Sequence, residues 1–524
     1  MQIKLLFFIT LLGLLKYSEN ARILASVFSP SYSHQIAFRP LWKELAKRGH
    51  EITLLTTNPM KDPDLGNIKQ IDLSGSYKVM EEQGSSDILT RGRNEGKSFM
   101  SMAQLYLDAL DRTAEWQLEQ HEVKQLIQNN SEHFDLLIVE VMNPIQMAFS
   151  ERFKVPFIGI TPLDAPYRIH DAIGNYMHPI VFPDYFLPFT PPLTFLQRAI
   201  SVTFNWANWY YQYYVRYPSE DLIVRRHFGE GTRALRDIEK DMSFLFVNVN
   251  PIFHSIRPHG LNTVLMGGGT HIGKPKPLPK EINDFVDAAK DGVIYLSLGS
   301  NIKSALLTDD LRKAMLSTLK ELPYKILWKF EDDGLQNLPK NVKLVKWVPQ
   351  QDLLAHPNVK LFITQCGLQS MEEAIFNHVP MVGMPFMGDQ HSNAIILRSK
   401  GLGLTVDRMN LTKTEFKKTV LEVLNNPIYK QNVIEISNSS KDVDMSGLER
   451  AVWWTEYCIR SKGAKHLRNP AIDLHWYQFY LLDVIGLLLT GLLVLVTIIV
   501  LILKLLKRLV FKNKNNQNSN KKLQ

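Results

Sequence analysis

His34 sits in "SPSYSHQIAFRP", a polar stretch between an apolar run and an amphipathic one. A neutral imidazole there can take a proton from a bound hydroxyl, and it does so better when a carboxylate holds its other nitrogen. Glu140, which ends the apolar run "FDLLIVE", is the candidate for that carboxylate, whereas Asp135 begins the same run and belongs at the opposite edge. The plainer alternatives are a helix cap or local hydrogen bond for His34 and a solvated strand end for Glu140.

A second group lies in "FITQCGLQSMEEAIFNHVPMVGMPFMGDQHSNA", Phe362 to Ala394. An apolar run that stops at small and polar residues and hands over to a helix builds a ligand site at a strand's carboxyl end. The free N–H groups and dipole of the helix then favour a phosphate. Glu373 could take both hydroxyls of a ribose, although Ser370 and Glu373 also fit a capping box. Asp389 and Gln390 open the next helix, either as caps or as partners for a polyhydroxylated group. Trp347, in "VKWVPQQDLLAHP", offers a plane suited to stacking on a base, against the ordinary role of core packing. The sequence contains no Walker motif, no HExxH, no Gly-x-Ser-x-Gly and no close cysteine–histidine cluster, so no metal site is expected.

The elements around these residues have one grammar. "RILASVF" reads as a strand, "FRPLWKELAKRG" as an amphipathic helix and "HEITLLTT" as a second strand. "FDLLIVE" and "VPFIGI" continue the sheet, and "SFLFVNVNPIF" is expected to close it. After the proline-rich "IGKPKPLPKEI" the pattern restarts with "DGVIYLSLGS", followed by "YKILWKF", "NVKLVKW", "VKLFITQ", "VPMVGMPF" and "GLGLTV" at helix-sized intervals. Continuous apolar strands separated by helices imply an α/β protein with parallel sheets covered on both faces. Two Rossmann-like halves result, and ligands in such sheets bind outside the carboxyl ends of the strands. Two rows of strand ends are therefore expected to face each other across a cleft.

The termini carry different signals. A basic start, the apolar run Leu5 to Leu15 and a small residue at Ala21 read as a secretory signal peptide. Val484 to Leu503 is uncharged for twenty residues, enough for a helix of about 30 Å to span a bilayer. Seven of the eight net positive charges follow it, between Lys504 and Lys522, which by the positive-inside rule keeps the tail cytosolic and the body luminal. About +1 remains for the rest of the chain, so the basic balance gives no nucleic-acid surface. Two cysteines, Cys366 and Cys458, make no disulfide framework. Asn129, Asn410 and Asn438 are glycosylation sequons, and the final Lys-Lys-Leu-Gln resembles a retrieval signal of endoplasmic reticulum membrane proteins.

"WVPQQDLLAHPNVKLFITQCGLQSMEEAIFNHVPMVGMPFMGDQHSNA", together with the leader, His34 and the basic-tailed anchor, closely resembles the membrane-bound UDP-glycosyltransferases, especially their invertebrate branch. The resemblance implies a GT-B fold and the inverting, metal-independent transfer of a hexose, glucose being favoured, from a UDP-sugar to a hydroxyl of a small lipophilic acceptor. It implies UDP-glucose as co-substrate with no tightly bound cofactor. His34 becomes the general base and Glu140 its partner. Trp347 stacks on uracil and Gln350 contacts the base. Ser300, Gln365, Gly367 and Gln369 surround the diphosphate, Glu373 binds ribose, and Asp389 and Gln390 hold sugar hydroxyls. Cys366 stands where the family has the first glycine of a pair, adding a side chain where backbone approaches phosphate. Glu140 stands where many members have Asp. These departures keep open a second reading, a non-catalytic relative that binds a UDP-sugar or a lipophile as carrier or partner subunit.

The expected organisation is a signal peptide at 1–21 and an acceptor-binding domain at 22–273. A linker at 274–290 leads to a UDP-sugar-binding domain at 291–469, whose last helices return to the first domain. A juxtamembrane segment at 470–483, a membrane span at 484–503 and a tail at 504–524 complete the chain. The expected location is the endoplasmic reticulum membrane, single-pass with a luminal body. Self-association through the anchor or the body is the one further partnership expected.

Overall fold

Runs such as Ile23–Val27 bury every side chain, and only a sheet clad by helices on both faces can use such a run. The computed structural model describes residues 20–521 except 64, 91–98, 185, 188, 190, 255, 333, 334, 336 and 337. Nearly all of the expected signal peptide and the last three residues lie outside the described residues. A first sheet contains β1 (Arg22–Val27), β2 (Glu51–Thr56), β3 (Ile68–Asp72), β4 (Leu136–Glu140), β5 (Phe157–Thr161), β6 (Met242–Val247) and β7 (Thr263–Leu265). Their order is β3-β2-β1-β4-β5-β6-β7, and every pairing is parallel. The second contains β8 (Val293–Ser297), β9 (Lys325–Lys329), β10 (Val342–Val345), β11 (Val359–Thr364), β12 (Met381–Gly383) and β13 (Gly403–Thr405), in the order β10-β9-β8-β11-β12-β13, again parallel.

All six expected strands of the second sheet are present. The first sheet is wider than expected. "SFLFVNVNPIF" supplies β6 but does not close the sheet, because β7 pairs beyond it. β3 was also unforeseen, since only Ile68 and Ile71 of its five residues are buried.

The period-two alternation of strands divides each core into two faces. Leu24, Leu137, Val139 and Leu245 point to one side of the first sheet, and Ile23, Ile138 and Phe244 to the other. The second sheet divides likewise, with Ile294, Leu296 and Ile363 opposite Val293, Tyr295 and Phe362. Helix Lys280–Asp287, inside the proline-rich connection, buries Ile282 and Val286 in the second core. Helix Gly447–Arg460 returns to the first sheet, where Ala451, Val452 and Cys458 join the face of Ile23 and Phe244. A capping box fixes its start: Ser446 Oγ accepts from Glu449 N at 3.1 Å, and Ser446 N donates to the Glu449 carboxylate at 2.9 Å.

Residues 469–524 form a separate unit. Its helix runs Leu482–Lys521, and within Leu482–Phe511 the most apolar 18 residues have a mean hydropathy of 3.1 and none of them is buried. The helix is long and apolar enough to cross a membrane, and it continues past Leu503 into the basic tail.

In each sheet the strand order reverses beside the first strand, between β1 and β4 and between β8 and β11. Those are the switch points at which loops diverge and leave a crevice. At the second of them Cys366 has φ +66° yet is fully buried, in the face that contains Phe362, Leu368 and Met371. Its thiol points into the core and away from the cleft. Gly383 makes the room, since a Cβ built there would fall on the Cys366 Sγ and lie 3.2 Å from Thr405 Cγ2. We expect Gly383→Ala to lower stability by about 1–3 kcal/mol through overpacking, and Cys366→Gly to restore much of it in the double variant. Thermal unfolding of the four detergent-solubilised proteins checks this. Equal losses with and without Cys366 would refute the pairing.

Candidate active site

The loop after β1 is tied down before it offers His34. The Gln35 amide donates to the carbonyls of Val27 (2.8 Å) and Ser29 (3.1 Å), and Thr57 Oγ1 donates to the Ser29 carbonyl at 2.9 Å. His34 lies in the short helix Tyr32–Ile36, whose N-cap position is Ser31, so the imidazole is no cap. Its Nδ1 is 2.5 Å from Glu140 Oε1, while Glu140 Oε2 accepts from Ser29 N at 3.0 Å. β1 and β4 are direct neighbours, which brings the two residues together from 106 positions apart.

Glu140 is fully buried, and its carboxylate can only accept. The hydrogen of the imidazole therefore sits on Nδ1, and Nε2 keeps a lone pair. Hydrogen bonds to a charged group stabilise by about 1.5–3 kcal/mol each, enough to hold the ring in one orientation. Tyr106 also lies near this pair: burial, helped by the charge of Glu140, pushes its phenol up to about 12, so it stays neutral. The same tyrosine packs against the cores of both sheets.

The second sheet brings its own residues to the opposite wall. Helix Leu368–Phe376 begins after Gly367, its N-cap. Ser370 and Glu373 are therefore the third and sixth helical residues, and the capping box expected of them does not form. Instead Gln350 Nε2 donates to Ser370 Oγ (2.9 Å) and to Glu373 Oε2 (2.8 Å), and Tyr295 OH donates to Gln350 Oε1 at 3.2 Å. Gln350 thus orients the Glu373 carboxylate. Gln369 reaches the first body, donating to the Pro162 carbonyl at 2.6 Å. The Gln365 amide lies over Gly299 and Gly367, where a Cβ on either glycine would collide with it. It shares this corner with Ser300, in the loop that follows β8.

Trp347 is not a core residue: it is 52% exposed, and the ring of Tyr32 meets it edge-on at 4.9 Å. Lys329 Nζ lies 5.8 Å from the Trp347 ring and donates to the Gly299 carbonyl at 2.8 Å. Asp389 occupies the N-cap of helix Gln390–Ser399 but makes no capping bond, its Oδ2 accepting from Asn393 Nδ2 at 2.7 Å. Burial pushes the Asp389 carboxyl up to about 6, against the opposing effects of the Asn393 hydrogen bond and the charge of His34. Gln390 Oε1 braces the loop before it, accepting from Phe386 N (2.8 Å) and Met387 N (3.2 Å).

Several contributors were not read from the sequence. Asn301 Nδ2 donates across the cleft to Ser31 Oγ at 3.0 Å, and Tyr32 and Lys329 flank Trp347. Lys329 had a signal, a lysine ending the buried strand "YKILWKF"; Asn301 and Tyr32 had none. Asp164, His170 and His259 approach one another within 4.8 Å, as metal ligands do. Here Arg257 Nε lies 2.9 Å from Asp164 Oδ2, and His170 bonds to Asp164 at 3.0 Å and to Asn175 at 3.2 Å. The guanidinium already supplies the positive charge, and the group reads as a buried ion-pair network. Between Tyr167 and Met177 the chain buries Tyr167, Ile169, His170, Ala172, Ile173 and Met177, so this stretch is packed against the body of the protein.

Comparison with known proteins agrees with this geometry. Residues 22–517 match the family described as UDP-glucoronosyl and UDP-glucosyl transferase. The chain is 31% identical to UDP-glycosyltransferase UGT5 of Dactylopius coccus over 99% of both chains. It is 31% identical to UDP-glucosyltransferase 2 of the same insect, covering 93% of this chain and 94% of that one. Human UDP-glucuronosyltransferase 2B15 is 30% identical, over 88% and 89% of the two chains. Among solved structures, Os79 from O. sativa, crystallised with U2F and trichothecene, superposes with a TM-score of 0.56 at 16% identity, covering 83% of this chain and all of that one. The glycotransferase of kitacinnamycin superposes with a TM-score of 0.55 at 17% identity, covering 83% and 98%. Two parallel sheets facing across a cleft are the GT-B arrangement, and with a family match over nearly its whole length the chain belongs to the UDP-glucuronosyl and UDP-glucosyl transferases, enzymes that transfer a sugar from a UDP-sugar.

Proposed function

We propose that this enzyme moves glucose from UDP-glucose to a hydroxyl of a small lipophilic acceptor, with inversion at the anomeric carbon. The observation that carries the reading is the 2.5 Å contact between His34 Nδ1 and a fully buried Glu140, opposite the strand ends of the second sheet. As the acceptor oxygen attacks the anomeric carbon, its proton passes to His34 Nε2 and Glu140 stabilises the imidazolium. The bond from that carbon to the diphosphate oxygen breaks, and UDP leaves with the electron pair. Attack from the face opposite the leaving group inverts the centre.

The rest of the donor follows from the chemistry of the second wall. The N–H groups at the start of helix Leu368–Phe376, with Gln365, Gly367, Gln369 and Ser300, meet the negative charge growing on the diphosphate. Trp347 and Gln350 take the base, Glu373 the ribose, and Asp389 and Gln390 the hexose hydroxyls. Protein donors meeting that charge make the transfer metal-independent. The choice of glucose draws on the insect relative named a glucosyltransferase. The apolar helix, followed by a tail rich in lysine, supports a single-pass protein of the endoplasmic reticulum membrane with its body in the lumen.

His34→Ala should lower acceptor-dependent UDP release by about 10²–10⁴-fold while UDP affinity stays within about twofold, a change too small to implicate the donor site. Glu140→Gln should lie between this variant and the wild type. Release is followed with UDP-glucose and UDP-glucuronate over a panel of phenols and hydroxylated lipids. Saturable UDP-glucose binding without release on any acceptor would instead favour the non-catalytic carrier.

The second expectation concerns pH. Asp389 ionises near 6, and only the carboxylate accepts a hydrogen bond through both oxygens. UDP-glucose affinity should therefore fall by up to ~10-fold per pH unit below that point. Asp389→Asn should remove it. A step of equal size retained in Asp389→Asn would show that another group is titrating.

A further inference from the structure

Helix Leu368–Phe376 carries two adjacent acids, Glu372 and Glu373, and both are buried, at 0% and 5% exposure. Two neighbouring carboxylates out of water need partners that neutralise them. Glu373 has Gln350, from its own half of the molecule. Glu372 is served entirely from the other half. Asn248 Nδ2, just after β6, donates to its Oε2 at 3.0 Å, and Gly268 N, just after β7, donates to its Oε1 at 3.3 Å. Gly268 has φ +103°, a conformation that a side chain would strain, and this turn aims its N–H at the carboxylate.

Three residues further on, His271 stands between the two acids. Its ring is 2% exposed, with Nδ1 3.6 Å from Glu372 Oε2 and Nε2 3.5 Å from Glu373 Oε1. A neutral imidazole has a hydrogen on only one nitrogen and would turn a lone pair towards one of the carboxylates. The imidazolium turns an N–H towards each, at ion-pair separation rather than hydrogen-bond distance. The balance of charge agrees: burial opposes protonation, but Glu373 and Glu372 prevail and raise the affinity of His271 for its proton.

We infer that His271 is a positioning residue for donor binding: as an imidazolium shared by Glu372 and Glu373, it ties the helix to the segment leaving the first sheet and fixes the Glu373 carboxylate. This rests on the reading of Glu373 as the ribose ligand. Gln350 holds one oxygen of Glu373 and His271 faces the other, so the remaining lone pairs of both point in set directions. A pair of vicinal hydroxyls can then be met without reorganisation. Removing His271 frees one oxygen and leaves two neighbouring negative charges unscreened, and the carboxylate loses its orientation. The nucleotide loses its ribose anchor while the base and diphosphate contacts remain.

The test compares UDP with 2′,3′-dideoxy-UDP, which lacks only the ribose hydroxyls, by calorimetric titration of the detergent-solubilised full chain. The wild type should prefer UDP by about tenfold or more, the value of one or two hydrogen bonds to a charged acceptor. In His271→Ala the preference should shrink to about twofold or less, close to thermal energy, mainly through weaker UDP binding. His271→Gln, which keeps a donor and most of the volume, should fall between the two and serves if the alanine variant does not fold. In a Glu373→Gln background, which itself abolishes the preference, changing His271 should make no further difference to it. A preference retained in full in both His271 variants overturns the inference, even if their stability falls. A wild type that binds both nucleotides equally overturns the ribose assignment of Glu373 and takes this inference with it.

Discussion

A carboxylate taken out of water must be met by donors or cations on every side, and that constraint organises the whole cleft. Glu140 has no exposure and two partners, Ser29 N and His34 Nδ1. Neither contact exists unless β1 and β4 are adjacent and in register, so the pairing Ser26↔Val139 sets the reach of the loop that follows. The same loop is anchored by Gln35 and Thr57 to the ends of β1 and β2. A rigid parallel sheet thereby delivers one oriented imidazole with its second nitrogen bare. Precision of this kind belongs to side chains on a scaffold and not to a mobile loop.

The second sheet solves the same problem in a different way. Its acids do not sit on strands but on helices that follow strand ends: Asp389 at an N-cap, where the dipole favours negative charge, and Glu372 and Glu373 in the second turn of another helix, where partners must meet them. Glu373 is oriented by Gln350 and Glu372 by the first body, so one helix both presents donor contacts and closes the interface. Gln369, bonded to the Pro162 carbonyl, and Leu163, packed on the second core, extend that interface along the same side. On the proposed reading of Glu373 and Gln369, donor recognition and the relation of the two sheets share residues. A change that loosens one should be felt in the other without either ligand being touched.

Much of this was legible in the sequence because buried parallel strands announce themselves. Most strands of the second sheet lie within apolar runs, and Ser300, Trp347 and Gln365, just beyond β8, β10 and β11, fall at the carboxyl ends that topology turns to the cleft. The edge strands β3 and β7 escaped because one is half solvated and the other is short and runs into Gly267, Gly268 and Gly269. The capping box assigned to Ser370 and Glu373 failed for a local reason: Cys366 takes a left-handed φ and Gly367 becomes the N-cap, which starts the helix two residues before Ser370. Glu372 and His271 were invisible for a global one. Nothing within "SMEEAIF" tells which acid faces a segment more than 100 residues earlier, and "GGGTHIG" reads as an ordinary turn until a helix from the other half is laid against it.

Cys366 decides how far the departures from the family's pattern reach. A side chain at a position that normally has glycine would obstruct a phosphate only if it entered the cleft, and the thiol lies instead in the core, over the space left by Gly383. The backbone keeps the positive φ that a glycine would supply, at a cost of roughly 1–2 kcal/mol for a residue with a Cβ, offset by the apolar contacts of a buried sulfur. Asn393 still donates to the Cys366 carbonyl at 3.0 Å, and that asparagine in turn holds Asp389. The substitution is thus absorbed on the core side of the loop, and the polar face towards the cleft keeps its connections. Glu140, the other departure, has both oxygens occupied, one by Ser29 N and the other by His34 Nδ1. With both accounted for by packing, the case for a silent relative loses the observations that raised it.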